Sequence, residues 1–246
     1  NSSICVFFYI YTNLNTMNKI KLITVSILLF FSAAISAAFA QTSAPAYLDT
    51  LKQLNISILN KPTYDAYFNR ATLMYRFGDY TGAIRDFTEA IALNATDKTA
   101  YNLRGKTKIS IGEVQGALLD FEKAIQLDST IAEYYINHGI AKRITGNYQD
   151  AIADCSKAIE LQSDNADAYN NRGLSKFYSG EEGAVEDYSK AISLNQNYAE
   201  AYNNRADYYY YDENNTDACA DWTKAVELGY EKAKRSMAKY CTTTDK

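Results

Sequence analysis

The sequence repeats itself five times at intervals of 33 or 34 residues. Two sets of alanines, one set of tyrosines and one set of aspartates keep this spacing through all five copies. Chance does not produce several five-fold registers with one period, so the chain is predicted to contain five copies of one structural unit. The repeated residues are Ala83, Ala117, Ala151, Ala184 and Ala218; Ala90, Ala124, Ala158, Ala191 and Ala225; Tyr67, Tyr101, Tyr135, Tyr169 and Tyr202; and Asp86, Asp120, Asp154, Asp187 and Asp221.

Each unit is predicted to hold two helices. Its small and aromatic residues lie three or four positions apart, which is the period of one helix face. In four of the units a glycine separates the two stretches, where it can end a helix with a positive φ. The residue missing from the fourth unit falls between Gly180 and Ala184, in a turn, so no buried helix face is rotated. With only 2 Pro and 11 Gly in 246 residues, a turn-rich sandwich or barrel is disfavoured.

Stretches such as Ala168-Tyr169-Asn170-Asn171-Arg172-Gly173 and Ser156-Lys157-Ala158-Ile159-Glu160-Leu161 resemble the tetratricopeptide repeat, TPR. The resemblance implies an all-α solenoid of antiparallel helix pairs in a right-handed superhelix, with the first helix of each pair lining a concave groove. The proline that usually closes a unit is absent, so polar residues such as Asp97 and Asp164 are expected to help end the helices. The resemblance covers residues 64–97, 98–131, 132–165, 166–198 and 199–232, together the array 64–232.

Both ends of the array are predicted to carry a capping helix. Residues 41–63 form an N-terminal linker and a helix, with Leu48, Leu51 and Leu54 on one face, that is expected to cover the first unit. Residues 230–246 form a C-terminal helix and tail. Tyr230 and Met237 lie on the apolar face of that helix, and its other face is basic. A solenoid needs such half-polar caps to close its core.

The N-terminal region has the sequence features of a leader. Residues 1–16 precede Met17 and are not expected to belong to the folded protein. Residues 17–40 have two lysines, an apolar run and Ala38-Phe39-Ala40, the pattern of a secretory signal peptide cleaved after Ala40. The prediction is therefore an exported protein, periplasmic or secreted. The alternative is an uncleaved membrane anchor formed by residues 22–40.

The charge and composition argue against several classes of function. Lys and Arg total 25 and Asp and Glu 29, which disfavours a nucleic-acid partner. Cleavage of the leader removes two lysines and no acid, so the mature chain is more acidic. There is one histidine, and no nucleophile elbow, phosphate loop or paired metal-ligand spacing occurs. No enzyme activity, cofactor or metal is predicted.

A basic stripe on the first helices faces the repeated aspartates on the second helices. Each aspartate is predicted to form an ion pair with this stripe, in its own unit or a neighbouring one, as structural glue rather than as catalytic machinery. His138 occupies the place of an arginine in the third unit. The stripe consists of Arg70, Arg104, His138, Arg172 and Arg205, with Lys108, Lys142 and Lys176 one turn further on.

Three cysteines follow the leader. Cys219 and Cys241 lie ten residues before and twelve after Gly229. Antiparallel helices around that glycine bring both to one level, so a disulfide is predicted, with two free thiols as the alternative. Cys155 replaces an aromatic of the other units and is predicted to be a buried, unreactive thiol.

The groove implied by the resemblance is predicted to bind a protein or peptide. Asparagines two residues after the repeat tyrosines suit the backbone of an extended peptide, and an aromatic strip further along suits anchor side chains. The lysines with which some TPR proteins clamp a carboxylate are absent. The positions two residues before the tyrosines include Glu133, Asp167 and Glu200. These acids fit a basic partner, and they fit equally well solvated helix starts favoured by the helix macrodipole. The predicted groove residues are Asn69, Asn137, Asn171, Asn204, Tyr75, Phe177, Tyr178 and Tyr210.

The sequence thus favours an exported, non-enzymatic scaffold that binds a partner protein or peptide in a concave groove. Two alternatives remain. One is a structural solenoid whose partner is another copy of itself, and the other is a membrane-anchored assembly factor that keeps its N-terminal segment. The identity of the partner and the oligomeric state do not follow from the sequence.

Overall fold

A computed structural model describes residues 46–241. The predicted leader and the membrane anchor proposed as its alternative lie outside the described residues. The chain divides into two compact units, residues 1–60 and 61–246. Of the first, the structure describes one helix, α1 (46–60). The expectation that this helix covers the first repeat stays a prediction. None of the helices within residues 46–241 is long and apolar enough to cross a bilayer.

The second unit consists, as far as it is described, entirely of helices. Five antiparallel pairs stack in chain order, one pair for each predicted repeat, and a final helix follows them. This confirms the all-α solenoid expected from the sequence. The pairs are α2 (Tyr64–Arg76) with α3 (Tyr80–Leu93), α4 (Lys98–Ser110) with α5 (Val114–Leu127), α6 (Ala132–Ile144) with α7 (Tyr148–Leu161), α8 (Ala166–Ser179) with α9 (Ala184–Leu194), and α10 (Ala199–Tyr211) with α11 (Asn215–Glu227); the last helix is α12 (Ala233–Tyr240).

Short polar side chains begin several of these helices. Asp97 caps α4 by accepting a 2.7 Å hydrogen bond from the backbone N–H of Thr99, which is the role expected of it. In the fourth unit the cap of α8 is Asn165, one residue after the expected Asp164; its side chain accepts from the Ala168 N–H at 3.1 Å. These caps replace the missing prolines in ending one unit and starting the next.

The shortened turn of the fourth unit lies where the sequence places it, between Gly180 and Ala184. Both Gly180 and Gly183 have positive φ, 75° and 88°. The second helix α9 starts only at Ala184 and has 11 residues, against 14 for α7. The missing residue therefore shortens the start of α9 and leaves the buried face of that helix in register.

The core of the array combines small residues on both helices of each pair with one fully buried large residue on the second helix of four units. The repeated alanines of the second helices are fully buried. A Cβ atom added to Gly105 would lie only 2.6 Å from Cε1 of Phe121, so the paired helices meet as closely as a glycine allows. The large buried residues are Phe87, Phe121, Tyr188 and Trp222, with Cys155 in the equivalent place of the third unit.

The C-terminal helix closes the last pair. Tyr240 of α12 stacks on Trp222 of α11, with ring centroids 5.8 Å apart. Tyr230 and Met237 pack against the same buried cluster, as their apolar pattern predicts. The structure joins Cys219 and Cys241 by a disulfide, with Cα atoms 5.5 Å apart. The cap is thus held by a covalent bond as well as by apolar contacts.

Candidate functional site

Ion pairs cross the two helices of every unit. In the fourth unit Arg172 donates from Nε and Nη2 to the two oxygens of Asp187 at 2.9 and 2.6 Å. Lys176 Nζ lies 2.8 Å from the same carboxylate. The aspartates pair within their own unit. The other pairs are Arg70–Asp86, Arg104–Asp120 with Lys108, His138–Asp154 with Lys142, and Arg205–Asp221.

The environment of these pairs indicates a structural role. The side chain of Asp187 is only 6% exposed and that of Arg172 is 21% exposed. The hydrogen bonds from Arg172 to Asp187 raise the pKa of the guanidinium. The guanidinium also lies over the ring of Tyr169, 5.4 Å from its centroid. The pair is thus largely enclosed and its hydrogen bonds are made within the protein, which indicates that it holds the two helices together.

The third unit differs because His138 stands where the other units have arginine. Nδ1 lies 2.9 Å from Oδ2 of Asp154, but the contact lacks the direction of a hydrogen bond. Nε2 lies 3.8 Å from a carboxylate oxygen of Glu122. Residues 46–241 contain no group of His, Cys, Asp and Glu that could hold a metal ion.

Cys155 is fully buried, as its position predicts. Burial, with the negative charge of Asp154 as a smaller contribution, raises the pKa of its thiol to about 12. At neutral pH the thiol is therefore protonated and a poor nucleophile.

A cavity of about 650 Å³ runs across the first helices of the middle units and is the candidate functional site. Its walls combine acidic side chains and asparagines from successive units with the apolar side chains of Ile136 and Ile140. Of the predicted groove residues it contains Asn137 and Asn171. It also contains the acidic row that the sequence indicates, namely Glu133, Asp167 and Glu200.

On one side of this cavity a buried asparagine positions a carboxylate. Asn137 donates to Oδ1 of Asn102 in the preceding unit at 2.9 Å. Asn102 in turn donates to Glu133 at 3.3 Å. Lys106 lies 3.1 Å from the same carboxylate. Burial of Glu133 opposes ionisation, but the contacts with Lys106, Asn102 and Asn137 outweigh it and lower the pKa of the carboxyl.

On the other side a similar chain leads to Asp167. Asn204 donates to Oδ1 of Asn170 at 2.9 Å, and Asn170 donates to the hydroxyl of Tyr198 at 3.4 Å. Burial raises the pKa of the Tyr198 hydroxyl, and its hydrogen bond to Asp167 and the charge of Glu200 add to this rise. The hydroxyl is therefore neutral and donates to the carboxylate.

These networks change the roles expected of the asparagines. Asn204 is buried and bonded to Asn170, so it is not available to a peptide, in contrast to the expectation. Asn137 reaches the cavity, but its amide is shared with Asn102. Asn171 lines the cavity and donates to the carbonyl of Asp167 at 2.9 Å. Asn69 is exposed and lies outside the lining.

The predicted aromatic residues lie outside the cavity lining, in contrast to the expectation. They fall eight or nine residues after the repeat tyrosines, at the end of each first helix, and at this repeat position only Arg143 of the third unit lines the cavity. Tyr75 packs on Tyr80 of its own unit at 5.8 Å between centroids. Tyr210 packs on Tyr240 of the cap at 4.2 Å. Phe177 and Tyr178 lie together at the turn edge, 5.6 Å apart.

Sequence reasoning missed Asn102, Asn170, Tyr198 and Arg143. The two asparagines each follow a repeat tyrosine directly, as Asn203 does in the fifth unit, so the sequence carries this signal after three of its five repeat tyrosines. Arg143 lines the cavity from the position that the other units give to Tyr75, Ile109, Phe177 and Tyr210. Its Nε is buried without a hydrogen-bond partner among the described residues.

Comparison with known proteins agrees with this architecture. Two TPR family models match the sequence, "Tetratricopeptide repeat" over residues 68–130 and "TPR repeat" over residues 139–180. A crystal structure of MamA is 31% identical, covers 67% of this chain and 96% of its own, and superposes with a TM-score of 0.56. The chain therefore belongs to the tetratricopeptide-repeat family.

Further solved structures share the fold at lower identity. TTC0263, a TPR protein of Thermus thermophilus, is 20% identical, with a TM-score of 0.63 over 73% of this chain and 99% of its own. YrrB, described as a TPR protein with an unusual peptide-binding site, is 20% identical, with a TM-score of 0.56 over 76% of this chain and 97% of its own. No curated protein sequence matches the chain. The fold is that of a protein-interaction scaffold.

Proposed function

We propose that this protein is an exported, non-enzymatic scaffold that binds an extended, positively charged segment of a partner protein in its concave cavity. The observation that carries the proposal is the pair of carboxylates, Glu133 and Asp167, that buried asparagines and a tyrosine position in the cavity wall. The lining carries three acids against Lys106 and Arg143, and an excess of negative charge in a concavity favours a ligand of positive charge.

The balance of charge in the cavity supports a basic segment. Glu133 is paired with Lys106. Among the described residues, Asp167 and Glu200 form no ion pair, and Asp167 receives its hydrogen bond from the neutral Tyr198. Arg143 also lines the cavity, so with Lys106 it leaves one of the three acids uncompensated, and a lysine or arginine of a bound segment would supply that charge. The side chain of Asn171 lines the same cavity, and its amide oxygen can accept a hydrogen bond from a peptide backbone.

Export is proposed from the pattern of residues 17–40, which has the charges and small residues of a signal peptide. The disulfide of Cys219 with Cys241 supports an oxidising compartment. A non-enzymatic role is proposed because the buried charged groups pair with one another and Cys155 is a buried, protonated thiol.

The test is the binding of a fluorescent peptide of alternating Gly and Lys, eight residues long, measured by anisotropy. Glu133→Gln with Asp167→Asn is expected to weaken binding about tenfold, because it removes both positioned charges. The matched control is Glu160→Gln with Glu227→Gln, which removes the same net charge from exposed positions on second helices. Equal losses in the two double variants would show only bulk attraction and would contradict the proposal.

A further inference from the structure

The aromatic residues that lie outside the cavity form a surface of their own. Tyr178 stacks on Tyr148 with centroids 5.8 Å apart and planes inclined by 17°. Phe177 touches Tyr178 at 5.6 Å, Tyr211 at 5.6 Å and Tyr208 at 6.1 Å. We call these five residues the turn-edge patch, because they lie where the first helix of a unit ends or the second begins.

The patch is accessible. Tyr178 is 55% exposed and Tyr211 is 78% exposed, which is unusual for rings packed against other rings. Beside them is an open cavity of about 460 Å³, lined by Tyr148, Tyr178 and Asp150 among others. It shares no lining residue with the concave cavity. A long side chain entering it would meet two tyrosine rings and a carboxylate together.

The charges around the patch are of one sign. The stretches 146–150, 177–186 and 208–217, which carry its rings and adjoining turns, contain no Lys or Arg. The adjacent Lys176 is already bonded to Asp187. Burial raises the pKa of Tyr208, and the charges of nearby acids raise it further. The acids of the three stretches are Asp150, Glu181, Glu182, Glu186, Asp212, Glu213 and Asp217.

An aromatic surface surrounded by carboxylates fits a cation. A guanidinium can lie flat on a tyrosine ring while its N–H groups bond to a carboxylate, so it uses both features at once. The protein itself contains this arrangement: Arg205 lies over Tyr202 at 5.8 Å while it is bonded to Asp221. At the turn edge the rings and acids are present, but the described residues supply no arginine to them.

We propose that the turn-edge patch is a second binding surface, separate from the concave cavity, and that it takes an arginine-containing segment of a partner protein. The patch is confined to the last three units. The positions equivalent to Tyr178 hold Arg76 in the first unit and Ser110 in the second. The segment would therefore bind along the edge formed by α7, α8 and α10.

The experiment uses a peptide of alternating Gly and Arg, eight residues long, and a full-length protein that already carries Glu133→Gln and Asp167→Asn. This background weakens binding in the concave cavity, and the added substitutions lie outside that cavity, so a failure here is separate from a failure of the proposed function. Adding Tyr178→Ala and Tyr211→Ala is expected to weaken binding about tenfold. Tyr178→Phe with Tyr211→Phe is expected to keep it within about twofold, because the π face remains.

Control peptides and control variants identify what binds to the turn-edge patch. The same peptide with Gln in place of Arg is expected not to bind, and the control Arg76→Ala is expected to leave the affinity unchanged. Equal affinity of the alanine and phenylalanine variants for the arginine peptide would overturn the proposal. Two other occupants are tested in the same way. A second copy of the chain would be the occupant, and the proposal overturned, if sedimentation showed a dimer that the alanine variant loses. A sugar would be the occupant, and the proposal overturned, if cellohexaose shifted the ring NMR signals of Tyr178 and Tyr211 and the arginine peptide did not.

Discussion

At the scale of single residues, one aspartate on the second helix of each unit contacts basic side chains of the first helix. Asp187 lies between the two helices of its pair and accepts from Arg172 on one side and Lys176 on the other. A buried charge of this kind is tolerated because it is paired, and its removal leaves its partners without compensation. The ion pair therefore fixes how the two helices of a unit are oriented more than it adds to stability.

The substitution Asp187→Asn tests this role because it removes the charge and keeps the shape. Two buried cations then face a neutral amide, so the free energy of unfolding is expected to fall by about 3 kcal/mol in a urea titration followed by circular dichroism. Glu160→Gln is the matched control, because Glu160 pairs with Lys157 at the exposed surface. Its unfolding midpoint is expected to equal that of the parent. A similar loss in both variants would mean that the Asp187 pair acts as an ordinary surface pair.

At the scale of helices, the distance between paired helices depends on a residue without a side chain. Gly105 of α4 faces Phe121 of α5, and a Cβ there would approach the ring to 2.6 Å. Gly116 also lies inside a helix, but its Cβ would meet only the flexible side chain of Lys108, at 3.3 Å. Replacement of glycine by alanine is therefore expected to change the free energy of unfolding in opposite directions at Gly105 and at Gly116.

Gly105→Ala is expected to lower the free energy of unfolding by about 1–3 kcal/mol, because the phenyl ring or the helix must move. Gly116→Ala is expected to raise it by about 0.5–1 kcal/mol, since alanine favours the helix and Lys108 gives way. Thermal unfolding of the two variants beside the parent would show midpoints on either side of it. Midpoints shifted in the same direction would contradict the close approach at Gly105.

The sequence predicts these elements well because each packing position occurs once in every repeat and can therefore be recognised five times. The paired helices, their turns and the charged partners of the aspartates all follow from positions that recur. The binding surfaces do not, because they depend on where a side chain's hydrogen bonds go. Asn137, Asn171 and Asn204 hold the same repeat position, yet only Asn204 is buried. Asn137 and Asn204 bond to the preceding unit, whereas Asn171 bonds to a carbonyl of its own helix. Spacing cannot reveal that difference.

At the scale of the whole molecule, the array is held by contacts between successive helices and by one covalent bond near its C-terminal end. The disulfide joins α11, the second helix of the fifth unit, to the residue that follows α12. Because each unit of a solenoid depends on its neighbours, a constraint on the last unit also supports the units stacked on it.

Replacing both Cys219 and Cys241 by Ser is expected to lower the free energy of unfolding by about 3 kcal/mol, mainly because the unfolded chain gains freedom. Urea titrations with and without dithiothreitol measure the effect. Reductant is expected to shift the parent to the midpoint of the double variant and to leave the double variant unchanged. If reductant shifted the double variant as well, the effect could not come from this bond.

The amide contacts between units have a further consequence for how such a chain can change length. Asn102 with Asn137 ties the second unit to the third, and Asn170 with Asn204 ties the fourth to the fifth. A gene duplication that copied only the second or the third unit would leave an amide without its mate, because Leu103 and Ile136 hold the places of the matching asparagines. One that copied two neighbouring units in phase would carry both mates along. The fourth and fifth units carry asparagine at both places. For the second and third units, the increment that keeps every amide paired is therefore 68 residues, twice the period that the sequence displays.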